Sequence, residues 1–317
     1  TAETARNYVE LRTLQARIRY TQQNIQAQQD TLNLTQARFD AEIAPRLDVE
    51  QARLNLADTR SQIPLLRSAE QAAVNRLCVL TGRHPGELSD RMTDTQPMPQ
   101  PPDAVRIRIP AELLRRRPDI RRAERQLAAQ TAQIGLAVAE LYPSFSLTGN
   151  IGYEAMDFAD LTDNASKNYS YGPAFRWRLF DGDRVRNQIR IEESTTEQLY
   201  WQYRSTVLTA LEEVENALTD YVRMQQRHRD LAQSVKAAAE AVRLATEQYK
   251  NGLTDFQSVL VLQRTRLQQQ DKLAQTRGQL LQDLIRLYKA LGGWSDDVLP
   301  QPDTQPTAAP QDKAMDR

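Results

Sequence analysis

Residues 144–155, SFSLTGNIGYEA, and residues 169–179, YSYGPAFRWRL, decide how the rest of the chain is read. In the first run Phe145, Leu147, Ile151, Tyr153 and Ala155 alternate with Ser144, Ser146, Thr148, Asn150 and Glu154. In the second, Tyr169, Tyr171, Phe175, Trp177 and Leu179 alternate with Ser170, Gly172, Ala174, Arg176 and Arg178. A period of two gives a strand one apolar and one polar face. Each run is close to the length of a tilted strand crossing a bilayer, and its aromatics lie towards the ends. A soluble hairpin seated on a domain core would show the same alternation. However, no other strand-like segment is present to complete a soluble sheet, and an isolated two-stranded hairpin is marginal in water. The expected reading is a pair of membrane strands. Phe145, Leu147, Ile151, Tyr153, Tyr171, Phe175 and Trp177 then face lipid, while Arg176 and Arg178 line a pore; an ordinary exposed strand is the alternative for the arginines.

Around this pair the pattern is helical. Leu11, Ile18, Ile25, Leu32 and Phe39 recur every seventh residue, with Leu14, Thr21, Gln28 and Thr35 three places later. That spacing predicts a coiled-coil helix. A turn follows at 41–45, after which Val49, Leu56, Ile63 and Leu77, interleaved with Ala52, Thr59, Leu66, Ala73 and Leu80, predict a helix returning antiparallel to the first and stopping near Gly82. The arrangement recurs 210 residues on, without a gap: Tyr221, His228, Val235, Val242 and Tyr249 overlie Leu11 through Phe39, and Gly292 overlies Gly82. The repeat rests on pattern and equal length rather than on residue identity. In the second copy the long helix reads upstream to about Arg184. The first copy therefore lacks an upstream part, and a longer protein is expected, its N-terminal portion missing.

The intervening stretches divide the chain. RHPGELSD after Gly82 and TQPMPQPPD at 95–103 predict a linker in which Pro and Gly break any regular element. Pro118 suits the first position of a helix and Asp119 its N-terminus; that helix should run to about Leu141, before Pro143. The expected units are a first coiled-coil hairpin at 1–82, a linker at 83–110, a helix leading to the barrel at 111–142, the strand pair at 143–182, a second hairpin at 183–294 and a disordered tail at 295–317.

Composition excludes much chemistry. With 41 basic and 41 acidic side chains the formal charge is zero, so the basic field of a nucleic-acid binder is missing. Residues 106–125 hold eight arginines, but Glu112, Asp119 and Glu124 interleave and no aromatic platform accompanies them. Neither GxxxxGK[ST] nor GxGxxG occurs among 11 glycines, and two histidines with one cysteine cannot build an ordinary His/Cys metal centre. No HExxH, CxxC or GxSxG appears. No cofactor, metal or catalytic residue is expected. Adjacent carboxylates such as Glu212 and Glu213 do not face each other on a helix and read as solvated charges. Mean hydropathy is −0.64, and no run approaches the roughly 18 apolar residues of a transmembrane helix, a test to which a β-barrel is invisible.

Two coiled-coil hairpins with a strand pair inserted before the long second helix resemble the TolC and OprM group of outer-membrane efflux proteins. Residues 113–149, LLRRRPDIRRAERQLAAQTAQIGLAVAELYPSFSLTG, are similar to that family's R-P-D-I-x-x-A-E-x-x-L-x-A-A-x-A-x-I-G-x-A-x-A signature leading into P-x-F-x-L-x-G. Residues 172–182, GPAFRWRLFDG, resemble its G-P-x-x-x-W-x-L-F-D-x-G segment, and 248–260, QYKNGLTDFQSVL, its periplasmic tip turn. The flavour is that of the NodT-type, lipoprotein-type channels paired with resistance-nodulation-division (RND) pumps. The resemblance implies a mainly α fold with a membrane β-hairpin: long coiled-coil α-hairpins form a periplasmic α-barrel, and strands from three protomers form one outer-membrane β-barrel. It implies a homotrimer in outer-membrane lipid, a periplasmic adaptor, an inner-membrane RND-type pump, and a passive conduit for drugs or other small toxic compounds rather than an enzyme. Lipidation of the complete protein stays open, since Cys78 lies within a helix.

By the same resemblance, Gly252, Leu253 and Thr254 match the second adaptor-docking tip, with a plain helix-hairpin turn as the alternative. Ile43 and Ala44 correspond in the first tip, which departs from the pattern because Glu42 stands in the place of the glycine and Pro45 follows. Asp48 matches an acidic position at the periplasmic gate, or is a solvated helix charge. Ser258, its counterpart, replaces the acid found in some relatives, and Val261 is apolar. A type I protein-secretion conduit of the same fold and a pore-less periplasmic coiled-coil scaffold remain as alternatives. The scaffold would need a lipoyl-like or β-barrel domain beside one hairpin, and none is visible.

Overall fold

The structure, a computed structural model, describes residues 1–93, 96, 98–101, 116–157 and 162–293. The tail at 295–317 and much of the proline-rich stretch lie outside the described residues. Two compact units are present, one drawn from 1–110 with 212–317 and the other from 111–211. In the first, α1 (Ala2–Asp40) and α2 (Arg46–Leu80) form a hairpin, and α6 (Phe256–Ala290) packs along α1. The C-terminal part of α5 (Arg184–Lys250) belongs to the same unit. α5 has 67 residues with neither Pro nor Gly inside it, about 100 Å of unbroken helix.

Leu11, Leu14, Ile18, Leu66, Ala73, Val74, Leu77 and Cys78 make one apolar core between α1 and α2. Cys78 is fully buried there, its thiol unpaired. Nearer the tips the pattern changes. Thr21, Gln28 and Thr35 are buried, whereas Ile25 and Leu32 are half-buried and Phe39 is exposed. A straight helix drifts about 20° per heptad from a strict seven-residue seam, and α6 covers the flank that the drift presents. Polar pairs join the two helices: Asn24 Nδ2 donates to Gln270 Oε1 at 2.5 Å, Gln263 Nε2 to Thr31 Oγ1 at 2.7 Å, and Arg17 pairs with Asp271 at 2.5 Å. Further from the tips the seam closes tightly, and a Cβ on Gly278 would stand 2.2 Å from Thr13 Oγ1.

Both tips are built by one backbone device. Glu42 N–H donates to Phe39 C=O and Ile43 N–H to Arg38 C=O; 210 residues on, Gly252 N–H donates to Tyr249 C=O and Leu253 N–H to Gln248 C=O. This double bond pattern closes a helix when the residue after the cap takes positive φ. Gly252 does so at 74° and Glu42 at 61°, a conformation that costs a non-glycine residue about 1 kcal/mol or more. Arg83 with Gly82 and Gly293 with Gly292 repeat the pattern at the far ends of α2 and α6.

The linker is more structured than expected. A short helix, α3 (Ser89–Thr93), lies within it, and Leu88 and Met92, four residues apart, pack on the α1/α2 core. Met98 is buried with Val9 and Leu281. Burial of these apolar side chains overrides the local breakers Pro85 and Gly86.

In the second unit α4 (Pro118–Ala139) starts from a fixed end: Arg117 grips Asp119 with two nitrogens, Asp119 Oδ1 accepts from the Ile120 N–H at 2.9 Å, and Ile120 is buried. Strands β1 (Ser144–Tyr153) and β2 (Lys167–Arg176) pair antiparallel, with Phe145 opposite Phe175, Gly149 opposite Tyr171 and Ile151 opposite Tyr169. One face therefore holds Phe145, Leu147, Gly149, Ile151, Tyr153, Tyr169, Tyr171, Pro173 and Phe175, with Lys167 at its end opposite Tyr153; the other holds Ser, Thr, Asn, Gly, Ala174 and Arg176. Each strand has 10 residues, shorter than the alternating runs. Ala155, Trp177 and Arg178 thus fall outside the ladder. Trp177 Nε1 donates to Leu141 C=O and Arg178 pairs with Glu140 at 3.2 Å, so contacts with the end of α4 divert both from the strand.

One buried acid yields a pH test. Asp283 on α6 is 2% exposed and accepts from Gln279 Nε2 at 2.7 Å. Burial raises its pKa, helped by Asp220 and opposed by Gln279 and Arg286. A folded-state pKa above the unfolded value means stability that is full below the usual aspartate range and is lost as pH rises through the raised value. Asp283→Asn should therefore melt higher than the parent at pH 7, with the gap closing on acidification towards pH ~4. A thermal melt series over that range decides it; a gap that widens at low pH refutes the assignment.

Candidate functional site

The tips concentrate exposed apolar side chains on a polar scaffold. Ile43 is 64% and Leu253 77% exposed, with Leu47 on the next turn also exposed. Ala44 and Thr254 are half-buried beside them. Gly252 has open space around it apart from Arg38, whose Nη2 would stand 4.0 Å from an added Cβ.

Behind the tips the two hairpins are fastened. Tyr249 and Phe256 stack at 5.5 Å within a cluster that includes Ala52, Ala245, Val259 and Leu260. The Tyr249 hydroxyl donates to Asp48 Oδ2 at 3.4 Å, joining the last turn of α5 to the first of α2. Burial raises the pKa of Asp48; the Tyr249 hydrogen bond opposes this, Asp255 reinforces it and Arg38 opposes it. Burial likewise raises the pKa of Tyr249, which remains a donor at neutral pH. Arg38 lies over the Tyr249 ring at 4.7 Å, and its Nη1 donates to the Tyr249 and Lys250 carbonyls at 2.7 and 2.8 Å. About two turns further along, Arg264 Nε donates to Asn55 Oδ1 at 3.0 Å, so α6 is tied to α2 as well.

Asp48 is thus partnered rather than solvated. Ser258 does something different from Asp48: its N–H and hydroxyl both donate to Asp255 Oδ1, closing the start of α6. Asp255 is held below the usual aspartate range, chiefly by these bonds. The first tip has Pro45 at that place and no side-chain cap. Sequence reasoning read Tyr249 as a core position and passed over Arg38. The signal available was their closeness to the turn, since Arg38 lies four residues before Glu42 and Tyr249 three before Gly252.

The apolar strand face is uncovered. Phe145, Leu147, Ile151 and Tyr171 are each at least 70% exposed, a contiguous surface that water disfavours. A soluble hairpin would seat that face on a core, and no described residue buries it. Arg176 stands on the opposite face, across from Ser144.

A family model described as outer membrane efflux protein matches residues 1–83 and 109–293. The chain belongs to the outer membrane efflux protein family. Nodulation protein T of Rhizobium leguminosarum bv. trifolii is 33% identical over 290 residues, covering 90% of this chain and 60% of that protein. The pyoverdine export outer membrane protein OpmQ of Pseudomonas putida is 32% identical, covering 92% of the chain and 62% of its own length. Among solved structures, the outer-membrane channel OprN superposes with a TM-score of 0.83 at 35% identity, covering 92% of this chain and 66% of that one. VceC from Vibrio cholerae gives 0.78 at 28%, covering 92% and 69%. The chain spans about three fifths of the length of the curated relatives it matches. Membership makes it an outer-membrane protein, mainly α with barrel strands, with its helices in the periplasm.

Proposed function

We propose that this outer membrane efflux family member is part of the channel subunit of a tripartite efflux system, a passive conduit carrying drugs or other small toxic compounds outward. In this reading the protein is a homotrimer: residues 1–82 and 183–294 supply its periplasmic helical wall, and residues 143–182 supply strands to a shared barrel. Phe145, Leu147, Ile151, Tyr153, Tyr171, Phe175 and Trp177 meet lipid, and Arg176 the lumen, with Arg178 at its periplasmic rim. An inner-membrane RND-type pump supplies the energy. Relatives named for pyoverdine export and for toluene efflux support a small-molecule cargo.

A periplasmic adaptor docks on Ile43, Ala44, Gly252, Leu253 and Thr254. Docking draws α5 from α2, parting Tyr249 from Asp48, and the periplasmic end widens. The observation that carries this reading is the exposed apolar strand face in the same chain as two exposed helical tips, since lipid would cover the first and a periplasmic partner the second. Selectivity in such a conduit is low and electrostatic.

Single-channel recording of the full-length protein in planar bilayers tests it. Wild type should give discrete steps of low open probability, and Asp48→Ala should raise that probability several-fold. A membrane-inserted trimer that never conducts, even with adaptor added, refutes the conduit; steps indifferent to Asp48 refute the gate alone.

A further inference from the structure

Arg38 reaches from one tip to the other, and no motif pointed to it. It leaves the end of α1, and its Nη1 bonds the last two carbonyls of α5, at Tyr249 and Lys250. Both lie at the negative end of the helix dipole, and the Tyr249 carbonyl takes the Arg38 bond in addition to the Gly252 N–H of the cap. The same guanidinium covers the face of Tyr249, whose ring also meets Phe256 and whose hydroxyl bonds the Asp48 carboxylate and the Thr35 side chain. The repeat has no second copy of this arrangement, because the residue overlying Arg38 is Gln248.

We propose that Arg38 is the positioning residue of the gate: it clamps the end of α5 to the end of α1 and holds the Tyr249 ring where its hydroxyl reaches Asp48. The clamp rests on the gate proposed above and adds that the two tips of a protomer move as one. Pulling α5 away requires Arg38 to release both carbonyls and the ring together, so docking on either tip is felt at Tyr249. Lysine cannot replace arginine in this role. An ammonium retains the charge but lacks the flat face over the ring and the fixed direction of the guanidinium N–H groups.

The test uses the full-length protein carrying Arg38→Lys, Tyr249→Phe, or both. In planar bilayers Arg38→Lys should raise open probability roughly five-fold or more, as for an ordinary coupling between sites. Arg38→Lys in the Tyr249→Phe background should add little, since both act through the same contact. In parallel, spin labels on Ile43→Cys and Leu253→Cys report the spread of tip separations directly. That spread should broaden on Arg38→Lys at a temperature where the melting curve is still flat. Wild-type-like spread, or effects of Arg38→Lys and Tyr249→Phe that simply add, overturn the clamp. If wild type never conducts, the gate reading fails; the spin-label spread still decides whether Arg38 ties the tips.

Discussion

Gly278→Ala lowers the melting temperature, although alanine is the better helix former by about 1 kcal/mol. The reason is space. An added Cβ would stand 2.2 Å from Thr13 Oγ1, 3.1 Å from its Cγ2 and 3.2 Å from its Cβ, all well inside ordinary contact. Thr13 is 6% exposed and its hydroxyl donates to Val9 C=O at 2.8 Å, so turning the side chain away breaks that bond. Backbone separation is the remaining relief, and it would loosen Val9, Leu281 and Met98 on the next turn. Overpacking of this kind costs about 1–3 kcal/mol, enough to reverse the propensity gain. Thr13→Ala in the same chain should restore much of the loss, because two of the three close atoms disappear. Thermal unfolding of the four combinations settles it: a Gly278→Ala protein that melts higher, or one that Thr13→Ala fails to rescue, disproves the close crossing.

The strand pair yields the second large effect. Leu147→Arg is expected to cost about 2–4 kcal/mol per copy, the penalty for arginine on the lipid face near mid-bilayer. Thr148→Arg, the next residue, should cost little because its side chain lies on the face shared with Arg176. Adjacent positions on β1 thus report opposite solvents. The readout is recovery of heat-resistant, folded protein from the outer-membrane fraction. Equal losses at both positions would eliminate the assignment of faces, and equal tolerance would eliminate the membrane.

The alternation shared by the sequence runs and the strands, 144–153 and 169–176, was legible because a strand has a two-residue period. The first hairpin and the two tip turns were equally legible, since heptads and the equal spacing of Glu42 and Gly252 are sequence properties. What escaped was tertiary. Thr21, Gln28 and Thr35 stand in a heptad seam as polar residues, and only the presence of α6 on that flank explains their burial and the Asn24 and Thr31 hydrogen bonds. Arg38 looks like any solvent arginine until α5 ends beside it. Trp177 and Arg178 continue the alternation on paper, but Leu141 and Glu140 draw them from the strand. In the linker, breakers were weighed and the hydrophobic spacing of Leu88 and Met92 was not.

The burial of Cys78 has a practical consequence for labelling chemistry. Its thiol has no accessible surface in the folded protein, and only an exposed thiolate reacts at useful rates. Maleimide probes can therefore be placed on engineered tip cysteines without first removing the native one. The native thiol in turn becomes a clock: since its core must part before reagent reaches it, the rate of Cys78 modification in the unlabelled protein counts how often the α1/α2 hairpin opens.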